Sequence, residues 1–308
     1  MKSILPLLDG SNTIFCNGPD VTDTSLVEAF AKMSYASTES GLNNFTMVTI
    51  VSPNVTQLPE NVFGKIHFQN IVIEDSPKLH DIHSNAFRGT EHDVQRLEIR
   101  DTPVIVHNGG GHNVFHAINS LKNVEIVRIE NTGLYSVPSG AFRYLPKLRE
   151  LSIRKGKVER VESHAFQFLP QLEHLNLDHN LITKIGDTAF DLDLIGIPNL
   201  DNRFHLNLDY NQLTVDSLWE RPDLLAHLGN RYNNTISLYN NSITFLSEYT
   251  FKDFLSRYQN SVDVILDCHS CENYWLVNSG LNRTRNEQTM TCSNQIYGLY
   301  QPNNFDDC

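Results

Sequence analysis

The stretch Leu172-x-x-Leu175-x-Leu177-x-x-Asn180-x-Ile182-x-x-Ile185, closed by Ala189-Phe190, decides the fold of this chain. Leu175 and Leu177 have the period-2 spacing of a strand that buries one edge. Asn180 follows where such a strand must turn. Its amide there can bond backbone groups that would otherwise be buried without partners. Ile182, Ile185 and Phe190 return apolar groups to the same interior. The pattern recurs at intervals of roughly two dozen residues, a period that marks a stacked array whose units pack on their neighbours.

Working outward from this copy gives eight units, anchored at the Asn position by Pro53, Ser76, Thr102, Thr132, Gly156, Asn180, Asn211 and Asn241. Three residues before each anchor stand Ile50, Ile73, Ile99, Ile129, Ile153, Leu177, Leu208 and Leu238. Five before stand Val48, Ile71, Leu97, Val127, Leu151, Leu175, Leu206 and Ile236. These pairs are expected to face the core. Phe63, Phe87, Phe142, Phe166, Phe190 and Phe251 are expected to stack as a spine on its far side. The anchor is Asn in the last three copies only. Ser or Thr can do part of its work, whereas Pro53 and Gly156 cannot, so less regular turns are expected in the N-terminal half.

The pattern resembles the leucine-rich repeat. The resemblance implies an α/β solenoid, a horseshoe with a parallel sheet on its concave face, irregular or short helical returns outside, and here a disulfide C-terminal cap. Residues 1–44 read as an N-terminal cap, 45–261 as the eight repeats and 262–308 as a cysteine-containing C-terminal cap. In the first cap, Leu26, Val27, Phe30 and Met33 share one face of a short helix over 21–35, with Ser25 and Glu28 spaced as a capping box. Three insertions break the period. His107 to His112 contains a glycine run, read as a flexible loop because no Lys-Ser/Thr follows to make a phosphate cradle. Asp191 to Arg203 expands the sixth repeat. Pro222 to Leu228, with Gly229 after it, predicts a helix in the seventh.

The bulk numbers narrow the function. With 308 residues, 40% apolar, 19% charged and a net charge of -12, the chain suits a folded soluble protein. That charge disfavours nucleic acid and anionic membrane surfaces as partners, and no apolar run approaches the ~20 residues of a membrane span. Four of five cysteines cluster near the C-terminus as C-x2-C-x20-C-x15-C. A zinc site usually shows a second tight pair, so two disulfides are expected, Cys268–Cys292 and Cys271–Cys308, although spacing alone leaves connectivity open. Cys16 resembles the last cysteine of an N-terminal cap, whose mate is expected upstream. Residues 1–15 hold none, and Met1 to Leu8 is too short for the apolar core of a signal peptide, so the natural start is expected to lie further upstream. Sequons at Asn44, Asn54, Asn233, Asn240 and Asn282, with the cysteines, point to a secreted, extracellular glycoprotein.

Residues between the buried strand positions are expected on the concave face, where neighbouring strands lie about 4.8 Å apart and like positions form columns. The middle columns alternate charge through Arg96, Glu98, Arg100, Arg128, Glu130, Glu150 and Arg154. Cross-strand pairs such as Arg128 with Glu98 or Glu130 are expected, either as a recognition patch or as a solvated face of mixed charge. The sixth and seventh repeats share His-x-Asn-x-Asp, as His174, Asn176, Asp178 and His205, Asn207, Asp209. These six with Tyr239 are candidate contacts for a polar ligand. Side chains in parallel columns do not converge on one point, so no metal site is assigned and no cofactor is expected. No G-x-S-x-G, H-E-x-x-H or P-loop is present, and His83 and His164 read as surface residues, which disfavours an enzyme.

The run Ile14-Phe15-Cys16-Asn17-Gly18-Pro19-Asp20-Val21-Thr22-Asp23 and the stretch Leu266-Asp267-Cys268-His269-Ser270-Cys271-Glu272-Asn273-Tyr274-Trp275-Leu276 go beyond the generic repeat. Together they resemble secreted arthropod proteins of the oplophorus-luciferin 2-monooxygenase non-catalytic subunit family. That resemblance implies a disulfide-capped repeat protein without chemistry of its own, accompanying a separate catalytic chain. The function expected is recognition of a protein partner. The alternative is a pattern-recognition or carrier protein for glycan or small-molecule ligands, which the scarcity of aromatic residues on the concave face disfavours.

Overall fold

The computed structural model describes residues 4–6, 12–41, 43–104, 113–192, 203–226, 228, 233–257, 259–279, 281 and 290–293. The chain divides into two compact units, Met1–Ser136 with Ala141–Lys157, and Val137–Gly140 with Val158–Cys308.

In the first unit, the repeat strands Asn44–Val51, His67–Glu74, Arg96–Thr102, Ile126–Thr132 and Glu150–Arg154 pair in parallel. Their register aligns Val48, Ile71, Leu97, Val127 and Leu151 in one inward column and Ile50, Ile73, Ile99, Ile129 and Ile153 in the next. All ten are buried. Both columns are those expected, because a one-residue slip would turn every one of these side chains to water. The sheet also extends N-terminally. Strand Thr13–Asn17 pairs parallel with Asn44–Val51 and places Ile14 and Cys16 in the same two columns. Ile4–Pro6 then closes the edge antiparallel to it.

Cys16 is therefore a core residue, opposite Ile50, and a free buried thiol among the described residues. Burial pushes its thiol up from 9.0 to about 12.

The cap helix runs over Asp23–Ser40, longer than expected. Leu26, Phe30 and Ser34 face the core, while Val27 is exposed. Its capping box joins Thr22 and Ser25 rather than Ser25 and Glu28: each backbone N–H donates to the other's hydroxyl, at 2.8 and 3.2 Å. The Asp23 carboxylate in the first turn accepts from the Thr56 amide at 2.7 Å and hydroxyl at 2.6 Å, fixing the helix to the first repeat. Gly64, at φ 60°, passes so close to this helix that a Cβ would lie 2.6 Å from the Ser34 hydroxyl.

In the second unit, His174–Asn176, His205–Asn207, Thr235–Ser237 and Ser261–Leu266 pair in parallel, and Met290–Cys292 adds to the last of them. Ser261–Leu266 continues the repeat register one strand past the eighth anchor, with Val262 opposite Ile236. In the seventh repeat, the helix is Val215–Leu218, not Pro222–Leu228. Residues 222–226 form successive turns with bonds from Leu224 to Arg221 and from Ala226 to Asp223. Thr214 starts the true helix through its N–H bond to the Ser217 hydroxyl at 3.1 Å. The glycine run His107–His112 and most of the sixth-repeat insertion lie outside the described residues. Helix Asn113–Ser120 follows the former and buries Val114, Phe115, Ala117 and Ile118.

The aromatic spine forms within each unit. Phe63 stacks on Phe87 at 6.4 Å and Phe166 on Phe190 at 5.9 Å. Phe30 packs edge-on against Phe63 at 5.1 Å, and Phe115 edge-on against Phe142 at 5.4 Å, so both helices contribute rings that periodicity did not assign.

The turns repeat as regularly as the strands. Asp75, Asp101, Asn131, Lys155, His179, Tyr210 and Asn240, each just before an anchor, all have φ between 45° and 55°. Only the first repeat lacks this left-handed residue. Ser52 precedes Pro53, and proline bars its predecessor from helical backbone. Ser52 itself then replaces Pro53 as anchor: its buried hydroxyl donates to the Val21 carbonyl at 2.7 Å and accepts from the Asn54 and Val55 amides. In the last copies, Asn180, Asn211 and Asn241 each accept from an amide one repeat back, at Val158, Ile182 and Leu213. The Ser76 hydroxyl does the same for the Ser52 amide at 3.1 Å, and the hydroxyls of Ser76 and Thr102 also donate to their own strands' carbonyls at Glu74 and Arg100.

Candidate functional site: the outward face of the sheet

Between the inward columns of the first unit, three outward positions per strand carry the polar side chains. The central one is largely covered, with Thr49, Val72, Glu98 and Ser152 all buried. The flanking Glu74, Arg96, Arg100, Glu130, Glu150 and Arg154 are partly exposed, and so is Arg128 in the central position.

Central and flanking residues together form one connected ladder. Arg128 donates two bonds to Glu150, at 2.7 and 3.1 Å, and one to Glu98 at 3.2 Å. Glu98 also lies 3.5 Å from Arg96 and 3.7 Å from Arg100, and Arg100 reaches Glu74 at 2.5 Å. Three carboxylates thus meet three guanidiniums, and the group is neutral as a whole. Glu98 is its hub, with a side chain only 9% exposed, whereas Arg96 and Arg100 remain about 40% exposed. The bidentate Glu150 bond, more than the other causes, raises the Arg128 pKa, so its charge is fixed. The expected pair of Arg128 with Glu98 is present. The stronger partner is Glu150 on the next strand, since their register brings both termini within reach. Register places Glu130 between Arg100 and Arg154 in its own column, where charge alternates.

In the second unit, His174 sits opposite His205 with ring centroids 6.3 Å apart. Burial first, and the His174 charge second, lower the His205 pKa, while Asp209 opposes them. Asn176 and Asn207 align, and each side-chain carbonyl accepts the amide two residues on, from Asp178 and Asp209. These asparagines shape the strand ends. Asp209 accepts from the Ser237 hydroxyl and the Tyr239 amide, both at 2.7 Å. Asp178 is buried and bonds His179 Nδ1 at 2.7 Å. Asp209 Oδ1 and Asp178 Oδ2 thus hold neighbouring strand and turn groups. Tyr239 is half-buried; burial, with Asp263 and Asp209 nearby, raises its phenol pKa. Among the described residues, no three His, Cys, Asp or Glu side chains are grouped as metal ligands would be.

The "Leucine rich repeat" family model matches residues 122–182 and 146–213, and the "BspA type Leucine rich repeat region (6 copies)" model matches 39–128. Together they take in more than half of the chain, over the same segments whose strands and turns repeat. The chain is a leucine-rich repeat protein. No curated protein sequence matches it. Similar solved structures include a chain from the octameric complex of Latrophilin 3, Unc5D and FLRT2, at 16% identity and TM-score 0.41, covering 86% of this chain and 91% of that one. A chain from the Drosophila Toll–Spatzle complex is 15% identical, with TM-score 0.41 and coverage of 87% and 38%. A chain from the mouse RP105/MD-1 complex is 14% identical, with TM-score 0.43 and coverage of 86% and 49%. This leucine-rich repeat protein therefore spans less than half the length of the latter two chains.

Sequence reasoning missed one feature at the edge of the leucine-rich repeat sheet. His179 and Tyr210 stack at 4.2 Å and 17°. Both hold the left-handed position before an Asn anchor, which turns their side chains out along the same edge. That position is readable once its recurrence is known. At the C-terminal end, Cys268 and Cys292 form the expected disulfide, with Cα atoms 5.4 Å apart. Cys271 is also disulfide-bonded, and its expected partner Cys308 lies outside the described residues. The sequon residues Asn44 and Asn240 are exposed, Asn54 and Asn233 are partly exposed, and Asn282 lies outside the described residues. Asn44 and Asn233 sit at or just before the start of a strand, Asn54 and Asn240 in the turns after one, and none occupies an outward position of the charge ladder. No helix among the described residues is long and apolar enough to cross a membrane.

Proposed function

We propose that this is an extracellular, non-catalytic binding protein that recognises a protein partner through the outward face of its sheet. The ion-pair ladder centred on Glu98 carries this reading. Surface ion pairs contribute only about 0–1 kcal/mol each to folding, so stability alone is a weak reason for five of them to be joined. A fixed array of alternating charge favours a complementary partner and rejects others, because a mismatched charge would face a like one. The Cys268–Cys292 bond supports an oxidising, extracellular setting. The described sequon residues Asn44, Asn54, Asn233 and Asn240 lie off the charge ladder, which suits a face kept clear of attached sugars. The resemblance of the two caps to a non-catalytic subunit favours a secreted enzyme as the partner.

Affinity capture from the extracellular fluid in which the chain occurs tests this. The wild-type chain is expected to retain one protein in defined ratio, and an Arg100→Ala/Arg128→Ala chain to retain less than about a tenth of it, since truncating charged contacts of this kind costs ~1–3 kcal/mol. Equal recovery of that protein by both chains removes the ladder from the binding face. Recovery of glycan alone overturns the protein-partner reading.

A further inference from the structure

Away from the sheet, the return segments of the seventh and eighth repeats and the start of the C-terminal cap enclose a groove of about 560 Å³. Four aromatic side chains line it, Trp219, Phe245, Tyr274 and Trp275. Trp219 stands edge-on to Phe245 at 5.6 Å and is 44% exposed; Tyr274 is 41% exposed. Trp275 is held in place by its indole N–H bond to the Leu246 carbonyl at 2.9 Å. Trp219 and Trp275 are the only two tryptophans in the chain, and both belong to this groove.

We propose that this groove is a binding site for a neutral saccharide. Its size suits a ligand of a few rings. Leaving large aromatic surface wet is unfavourable unless something covers it. The polar groups around the rings narrow the chemistry. Glu248 is already neutralised by Lys252, 2.6 Å away, which leaves Glu272 as the remaining charge of the lining. An ammonium ligand, which an aromatic cage favours, is the competing occupant that tetramethylammonium tests. Glu272, on a chain of net charge -12, opposes an anionic sugar. A lipid tail would need continuous apolar walls, and Glu272, Lys252 and the exposed Asn278 interrupt them. A pyranose satisfies both surfaces at once. Its C–H face lies against Trp219 or Tyr274, and its hydroxyls donate to the Glu272 carboxylate and exchange bonds with the Asn278 amide. The site is separate from the charge ladder, so each can fail alone.

Tryptophan fluorescence reads this groove directly, because the chain has no tryptophan elsewhere. The full-length chain is titrated with neutral hexasaccharides of N-acetylglucosamine, of β- and α-linked glucose and of mannose, with tetramethylammonium alongside. At least one saccharide is expected to give a saturable spectral change. Trp219→Ala and Tyr274→Ala are each expected to weaken it about tenfold or more, as loss of a stacked ring would. Both side chains are substantially exposed, and unchanged far-ultraviolet circular dichroism establishes that each variant is folded. The proposal is overturned if every saccharide titration is flat, if only tetramethylammonium gives a change, or if both folded variants bind as tightly as the wild type.

Discussion

Replacing Asn211 with Ala tests the turn ladder at a rung bonded to its own repeat and to the one before. Asn211 is 7% exposed, and its carbonyl accepts the Ile182 amide at 3.0 Å. Its amide nitrogen lies 3.0 Å from the carbonyls of both Leu177 and Leu208. Those two carbonyls are not left bare in the variant, because Asn180 also donates to Leu177 and Asn241 to Leu208. Only the Ile182 amide loses its side-chain partner outright, at about 1–3 kcal/mol for a buried donor, and each carbonyl loses one of two bonds at about 1 kcal/mol. The total is about 3–5 kcal/mol. Ser76→Ala strands one amide, that of Ser52, and removes one bond to the Glu74 carbonyl, for about 2–4 kcal/mol. Asn211→Asp should cost at least as much as Asn211→Ala, because it turns a carboxylate oxygen toward the Leu177 and Leu208 carbonyls. Urea unfolding followed by circular dichroism measures the three differences from wild type. If Asn211→Ala costs under about 1 kcal/mol, or no more than Ser76→Ala, the turns are not held by this side chain, and the account of the repeat is wrong.

Cys16 is expected to resist iodoacetamide at pH 8 in the folded chain and to react once urea unfolds it, because its thiol is buried and pushed up to about 12. The same shift sets a pH dependence. Above about 9 the unfolded chain releases this proton and the folded chain does not, so the stability contributed by the protonated thiol is lost as pH rises from 9.0 toward about 12. A Cys16→Ala chain should lose less stability over that window, and an identical alkaline slope would refute the assignment. Cys268→Ser/Cys292→Ser opens a loop with a sequence separation of 24 residues. Loop entropy sets the cost at about 3.5 kcal/mol, read as a lower urea midpoint, and an unchanged midpoint would show that the bond does not brace the last strands.

Repeat, register and interior were written in the sequence because they rest on local rules. A period-2 apolar pair fixes which edge of a strand is buried, and one repeat then dictates the next, so Val48 to Leu151 and Ile50 to Ile153 fell into the columns that spacing assigned them. The Cys268–Cys292 bond was foreseeable from the clustering of cysteines in a small cap. What spacing did not supply were choices between near-equivalent local solutions. Ser52 took the anchoring task from Pro53 because proline forbids the usual turn one residue earlier. The seventh-repeat helix formed at Thr214, where Ser217 caps it, and not at Pro222.

For the candidate sites, the chain order determined that Arg and Glu alternate across neighbouring strands, since parallel pairing turns sequence period into spatial columns. Only the folded arrangement decided that Glu98 lies sheltered among three arginines, that Arg128 takes Glu150 with both ends of its guanidinium, and that Asp178 meets His179 while Asp209 meets the Ser237 hydroxyl and the Tyr239 amide. It alone brought Trp219 beside Tyr274 and Trp275. Long side chains select partners by reach and rotamer among several neighbours, and residues from separate return segments meet only once the repeats have stacked, so no linear pattern encodes either result.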